Sequence, residues 1–117
     1  MYDAIFGAPV FVWKNMLLEK DIQKQILQYL EIKRIFHFRN NSGAVKGMYN
    51  GKARFLRFGA VGSPDIICIK GGQFIGIEVK RPGTYQSVAQ KAFQTAVEEA
   101  GGRYILARSL DEIINAL

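Results

Sequence analysis

Residues 65–80 read Asp65-Ile66-Ile67-Cys68-Ile69-Lys70-Gly71-Gly72-Gln73-Phe74-Ile75-Gly76-Ile77-Glu78-Val79-Lys80. Asp65 to Lys70 is a β-branched run, Gly71-Gly72 is a two-residue hairpin signal, and Gln73 to Lys80 is a second run. A two-residue loop pairs Lys70 with Gln73 and therefore sets Asp65 opposite Glu78. Directly opposed residues share one sheet face with Cβ atoms about 5 Å apart. Lys80, two residues on, points to that same face. A three-residue loop would shift the register by one and put the two acids on opposite faces. Phe74, Ile75, Ile77 and Val79 make the second strand apolar on both sides, as expected of a central strand.

Downstream, Arg81-Pro82-Gly83 breaks the strand. Ser87 and Gln90 fit a capping box that opens a helix to about Ala100. Ala89, Ala92, Phe93, Ala96, Val97 and Ala100 form its expected buried stripe, and Gly101-Gly102 ends it. Arg103 to Ala107 reads as a short apolar strand. Ser109 and Glu112 form a second capping-box pattern opening a last helix through Leu117. Upstream, Ile22, Ile26, Tyr29 and Leu30 recur at helical spacing within a helix from about Leu17 to Glu31. Arg34 to Phe38 is a strand, Asn40-Asn41-Ser42-Gly43 is turn chemistry, and Ala44 to Lys52, with its glycines and lysines, reads as a mobile loop. Arg54 to Phe58 is a possible short strand. A strand, a crossover helix and another strand predict a parallel pair at one edge. The expected fold is α/β: a mixed sheet flanked by helices, in one domain spanning 1–117, with 1–15 as a possible N-terminal extension.

The chain has 117 residues, 49% of them hydrophobic and 22% charged, as in an ordinary globular domain. One cysteine, Cys68, and one histidine, His37, exclude a disulfide scaffold and a Cys- or His-based zinc site. Met1 to Trp13 is apolar but lacks a basic n-region, and no apolar run approaches the roughly 20 residues of a membrane helix. The expected compartment is the cytoplasm. The net charge is +6, and its placement is informative. Seven of the sixteen bases lie between Ile32 and Pro64, with none of the ten acids. Such segregation is the footprint of a polyanion binder, or else a solubilising surface.

Two like charges directly opposed destabilise a sheet. A small, hard cation between them reverses that effect, and two carboxylates with waters make a typical Mg²⁺ site. Glu19 falls on the inward stripe of the first helix, where it could complete a metal site or serve as a first-turn acid favoured by the helix dipole. Paired carboxylates, a neighbouring lysine, a metal and a basic segment suggest phosphodiester hydrolysis, with Lys80 orienting water or neutralising developing charge. The plainer alternative is Asp65 in a turn after Pro64 and Glu78 ion-paired with Lys80.

Gly62-Ser63-Pro64-Asp65, twelve intervening residues and Glu78-Val79-Lys80 together resemble the PD-(D/E)XK nuclease signature. Glu19 ahead of them and Gln90 after them narrow the likeness to a stand-alone VRR-NUC domain of the kind found in phages and bacteria, over Leu18 to Leu117. The resemblance implies a restriction-endonuclease-like fold and a Mg²⁺- or Mn²⁺-dependent endonuclease. It implies that Asp65, Glu78, the Val79 carbonyl and Glu19 hold metal, Glu19 directly or through water. It gives Lys80 the catalytic lysine's place and sets Gln90 near the active site, where a helix cap is the rival role. The family's small members resemble dimeric Holliday-junction resolvases, which implies a homodimer acting on branched DNA. Ala4 to Trp13 lies outside the motif, as an extra strand or a dimer contact.

Arg39, Asn41, Lys46, Lys52, Arg54, Arg57 and Arg81 are the candidate DNA-contacting residues; Asn40 and Asn41 could hold phosphates or bases, or simply make the turn. Cys68 reads as a small buried hydrophobe and His37 as a strand residue near the DNA surface. Phe55 and Phe58 read as core rather than base-stacking platforms. Two other readings compete with the nuclease: a non-catalytic nucleic-acid-binding module using the basic 32–64 segment, and a structural subunit docking through its apolar N-terminus.

Overall fold

The computed structural model describes residues 17–40, 43–49, 52–58 and 60–117, with 43–49 and 52–58 described by their backbone alone. Helix α1 spans Glu19–Ile32, followed by strands β1 (Phe36–Arg39), β2 (Gly43–Tyr49), β3 (Lys52–Phe58), β4 (Ile66–Lys70) and β5 (Gln73–Val79). Helix α2 (Val88–Glu99), strand β6 (Arg103–Ala107) and helix α3 (Leu110–Ala116) complete the chain. The result is mixed α/β: a four-stranded sheet in the order β1-β4-β5-β6, and a separate two-stranded sheet of β2 and β3. Among the described residues no helix is long and apolar enough to cross a membrane.

The β4–β5 hairpin forms in the predicted register. Lys70 pairs with Gln73 and Ile66 with Ile77. The turn needs two consecutive residues at positive φ, which Gly71 (φ 58°) and Gly72 (φ 76°) adopt without the clash a Cβ would bring. β5 is central as expected: β4 lies antiparallel on one side and β6 parallel on the other. The crossover through α2 produces that parallel pair.

Ile66, Cys68, Ile75, Ile77 and Val79 project from one sheet face into a single apolar cluster with Ile22, Ile26 and Leu30 of α1 and Ile113 of α3. The spacing of Ile22, Ile26 and Leu30 is the helical repeat that presents one stripe to the sheet. α1 begins at Leu18, whose N–H donates to Asp21 Oδ2 over 3.0 Å, and the acids Glu19 and Asp21 suit the positive end of the helix dipole.

Three expectations change. Ala44 to Tyr49, expected as loop, is strand: β2 and β3 pair antiparallel from Gly43↔Phe58 to Tyr49↔Lys52. The backbone ladder, which glycine can join, outweighs the weak strand propensity of that segment. The stripe of α2 is shallower than predicted. Ala89, Phe93 and Val97 are half-buried, but Ala92, Ala96 and Ala100 are exposed. Its inward face is shared with Gln90 and Gln94, both half-buried. At the start of α3 the Ser109 side chain makes no cap bond; Glu112 Oε2 instead accepts the Arg108 N–H at 3.0 Å.

Candidate active site

The alternation of β5 sends Ile75, Ile77 and Val79 to the apolar cluster and Glu78 to the opposite face. There Glu78 is only 3% exposed. The β4–β5 register continued by one residue puts Asp65, just before β4, across from Glu78. Asp65 Oδ2 accepts the Val79 N–H at 2.8 Å, which fixes the carboxylate against the end of β5. Val79, expected to offer its carbonyl, is thus tied to the site through its amide.

Gln90 fills both of the roles that its sequence position left open. Its backbone N–H donates to Ser87 Oγ (3.1 Å) and its Oε1 accepts the Ser87 N–H (2.8 Å), the two halves of the capping box. Its Nε2 meanwhile donates to Glu78 Oε1 at 2.9 Å. An amide has a donor and an acceptor end, so one side chain caps α2 and holds the carboxylate. Glu78 Oε2 is left buried with no hydrogen-bond partner.

Burial foremost, then the neighbouring Asp65 carboxylate, push the Glu78 carboxyl up to about 8, against the opposing pull of Lys80. Glu19 adds to the upward push. Its Oε1 lies 3.4 Å from the Arg81 N–H, so α1 delivers Glu19 to the end of β5 as its inward stripe predicted. Among the described residues, however, no three His, Cys, Asp or Glu side chains gather as a metal-ligand group. The pair Asp65 and Glu78, with Glu19 behind it, is short of positive charge. Hard carboxylate oxygens with one buried orphan among them could hold a hard divalent cation.

Lys80 is half-buried beside the pair, and its own N–H donates to Ala107 O at 3.0 Å, which anchors it to β6. Arg81 is exposed at the same strand end. Arg39 is exposed at the end of β1, opposite Ile66. Lys46, Lys52, Arg54 and Arg57 occupy register positions of the β2–β3 ladder. Asn41 and residues 1–15 lie outside the described residues.

His37 plays no part in this constellation: its ring meets the Ile35 carbonyl through Nδ1 at 2.7 Å and sits 3.9 Å from Glu31. Cys68 is buried in the cluster, and burial pushes its thiol up to about 11, where it is inert. Sequence reasoning missed Tyr104. It stands on β6 opposite Gly76, 8% exposed, with a buried hydroxyl that makes no hydrogen bond. Burial chiefly, then the charges of Glu78 and Asp65, push it up to about 12. A tyrosine in a short apolar strand carries no sequence signal that sets it apart from core.

No protein-family model, curated protein or solved structure matches the chain.

Proposed function

We propose that this protein is a Mg²⁺- or Mn²⁺-dependent DNA endonuclease of restriction-endonuclease-like fold that hydrolyses phosphodiester bonds at Asp65 and Glu78. One observation carries the reading. Two carboxylates face each other at the end of a central strand, and Glu78 Oε2 is buried there without a partner. An unsatisfied buried carboxylate oxygen costs folding free energy, and its presence beside a second acid makes sense where a cation completes it.

When bound, the metal supplies a water of lowered pKa and stabilises charge on the phosphate oxygens. Asp65 and Glu78 would hold it, with Glu19 directly or through water. Gln90 fixes Glu78 through Oε1, which would leave Oε2 available to a cation. Lys80 orients the attacking water or neutralises the developing charge. Arg81, exposed at the same strand end, would contact backbone phosphates, and Arg39, exposed at the end of β1 opposite Ile66, would do so from the other sheet face. Lys46, Lys52, Arg54, Arg57 and Asn41 would add further phosphate contacts by their place in the basic stretch of the sequence. Branched DNA, in particular a four-way junction, is the substrate we favour. It offers two symmetric scissile positions, which a homodimer would meet with two sites. A phage-encoded enzyme working in a bacterial cytoplasm fits this role.

The test is cleavage of end-labelled four-way junction, flap and linear duplex DNA with Mg²⁺, Mn²⁺ or EDTA, beside Glu78→Ala. Paired junction nicks that need both metal and Glu78 are expected. Cutting of every substrate would keep the nuclease and remove the resolvase. Tight, salt-sensitive binding without any product would favour the non-catalytic nucleic-acid-binding module.

A further inference from the structure

We propose that Asn40 is the positioning residue of the Asp65 carboxylate, through hydrogen bonds to the turn that carries it; the inference rests on the reading of Asp65 given above. Asp65 sits in no strand. It ends the turn Gly62-Ser63-Pro64-Asp65, and its backbone must be held from outside the β4–β5 ladder. Asn40 follows the last residue of β1 and meets three successive residues of that turn. Its N–H donates to Asp65 O at 2.8 Å. Its Nδ2 donates to Ser63 Oγ at 2.7 Å and to Pro64 O at 2.9 Å.

A carbonyl can only accept, so the Pro64 bond fixes which end of the amide faces the turn. The amide has two N–H hydrogens, and the turn uses both. None remains for a phosphate, so the phosphate contact open to Asn40 from sequence gives way to an inward role. The turn cannot easily be held otherwise. Pro64 has no N–H, the Ser63 N–H is already given to Ala60 O at 3.0 Å, and Ser63 and Pro64 are both buried. Without Asn40, a buried carbonyl and a buried hydroxyl lose their partner.

Asp65 is thus held from two directions. Asn40 fixes its backbone and the Val79 N–H fixes Oδ2. A ligand carboxylate must be placed to within about 0.5 Å to serve a metal. Asn40→Asp would keep the shape and lose both side-chain donors.

The experiment uses the full-length protein and two readouts. The first is metal-free: the ¹⁵N–¹H resonance and exchange rate of the Val79 amide. Asn40→Ala and Asn40→Asp should move that resonance toward its position in Asp65→Ala and speed its exchange, while the Ile22 and Ile26 amides stay in place. Ser63→Ala, which removes a single acceptor, should move it the same way by less, and serves if the Asn40 variants do not fold. The second is Mn²⁺ binding followed by electron paramagnetic resonance. Loss of a group that orients a ligand should weaken it by about tenfold or more, which a merely structural role would not do to the folded fraction. An unmoved Val79 amide in the Asn40 and Ser63 variants overturns the proposal. Equal Mn²⁺ affinity of wild type and Asn40→Ala, where Glu78→Gln abolishes binding, overturns it too. If wild type and Glu78→Gln bind Mn²⁺ alike, the nuclease reading fails, and the Val79 amide still decides whether Asn40 positions Asp65.

Discussion

On one face of the four-stranded sheet, Ile66, Cys68, Ile75, Ile77 and Val79 lie beneath α1 and α3 with almost no exposure. On the other, Phe36 is 64% and Phe38 and Ile69 each 45% exposed, and α2 buries no residue of its own. The first face supplies most of the apolar burial that stabilises the fold. The second carries Glu78 and receives Asp65. Adjacent positions of one strand therefore serve opposite purposes: Ile77 and Val79 hold the sheet to its helices, while Glu78 between them costs stability to keep a carboxylate in place. The two faces should respond to mutation in separable ways.

The sharpest separation is expected at Glu78. Glu78→Gln should lower nuclease activity by a factor on the order of 10³ or more, by analogy with the loss of other charge-handling groups, with circular dichroism unchanged. Activity surviving in both Glu78→Gln and Lys80→Ala would break the assignment of chemistry to this face. On the opposite face, Ile26→Ala should cost about 3 kcal/mol by cavity formation, read from urea midpoints, with activity per folded molecule retained. Gly76→Ala sharpens the comparison because it strikes the site face through packing. A Cβ there would lie 2.7 Å from Pro64 Cγ, so about 1–3 kcal/mol of overpacking strain is expected. Displacing Pro64 moves Asp65, so activity should fall along with stability. If activity per folded molecule is untouched, Pro64 does not transmit its position to the site.

The pH dependence is a subtler discriminator. Glu78 is raised from 4.5 to about 8, so the folded protein holds a proton that the unfolded chain has released. In EDTA, its stabilising contribution should be complete below pH 4.5 and be lost as pH rises toward 8. Melting temperatures across that window should fall for wild type, remain flatter for Glu78→Gln, and recover at pH 8 with Mn²⁺. A flat wild-type profile would show that Glu78 ionises freely. Smallest of all, Phe38→Ser on the open part of the site face should change stability by less than about 0.5 kcal/mol. A large loss would mean that this face is covered in solution.

The hairpin was readable because its pattern is local. Gly71-Gly72 fixes the register, and the register places Asp65 against Glu78 whatever surrounds them. The Ser87–Gln90 capping box was readable for the same reason. The β2–β3 ladder was not, since Gly43 and Gly47 weaken a strand signal that pairing then overrides. The depth of α2 was not either: alanines at helical spacing mark a face without saying how closely the sheet approaches it. Asn40 and Tyr104 meet neighbours distant in sequence, Ser63 and Pro64 for one and Gly76 for the other. A single sequence holds no trace of those pairings.

The parallel pairing of β5 with β6 has a consequence for the order of assembly. β4 and β5 meet by closing a two-residue turn, whereas β5 and β6 meet only after the chain from Lys80 to Gly102 has been looped back and α2 docked. Short loops close before long ones because less chain entropy is lost. Amide protection at Cys68 and Ile75 should therefore precede protection at Leu106 in pulse-labelled refolding. Asp65 and Glu78 would then face each other early, and Gln90 would reach Glu78 late. The chain would acquire its paired acids before the residue that disciplines them, so the finished geometry of the pair would be a late event of folding.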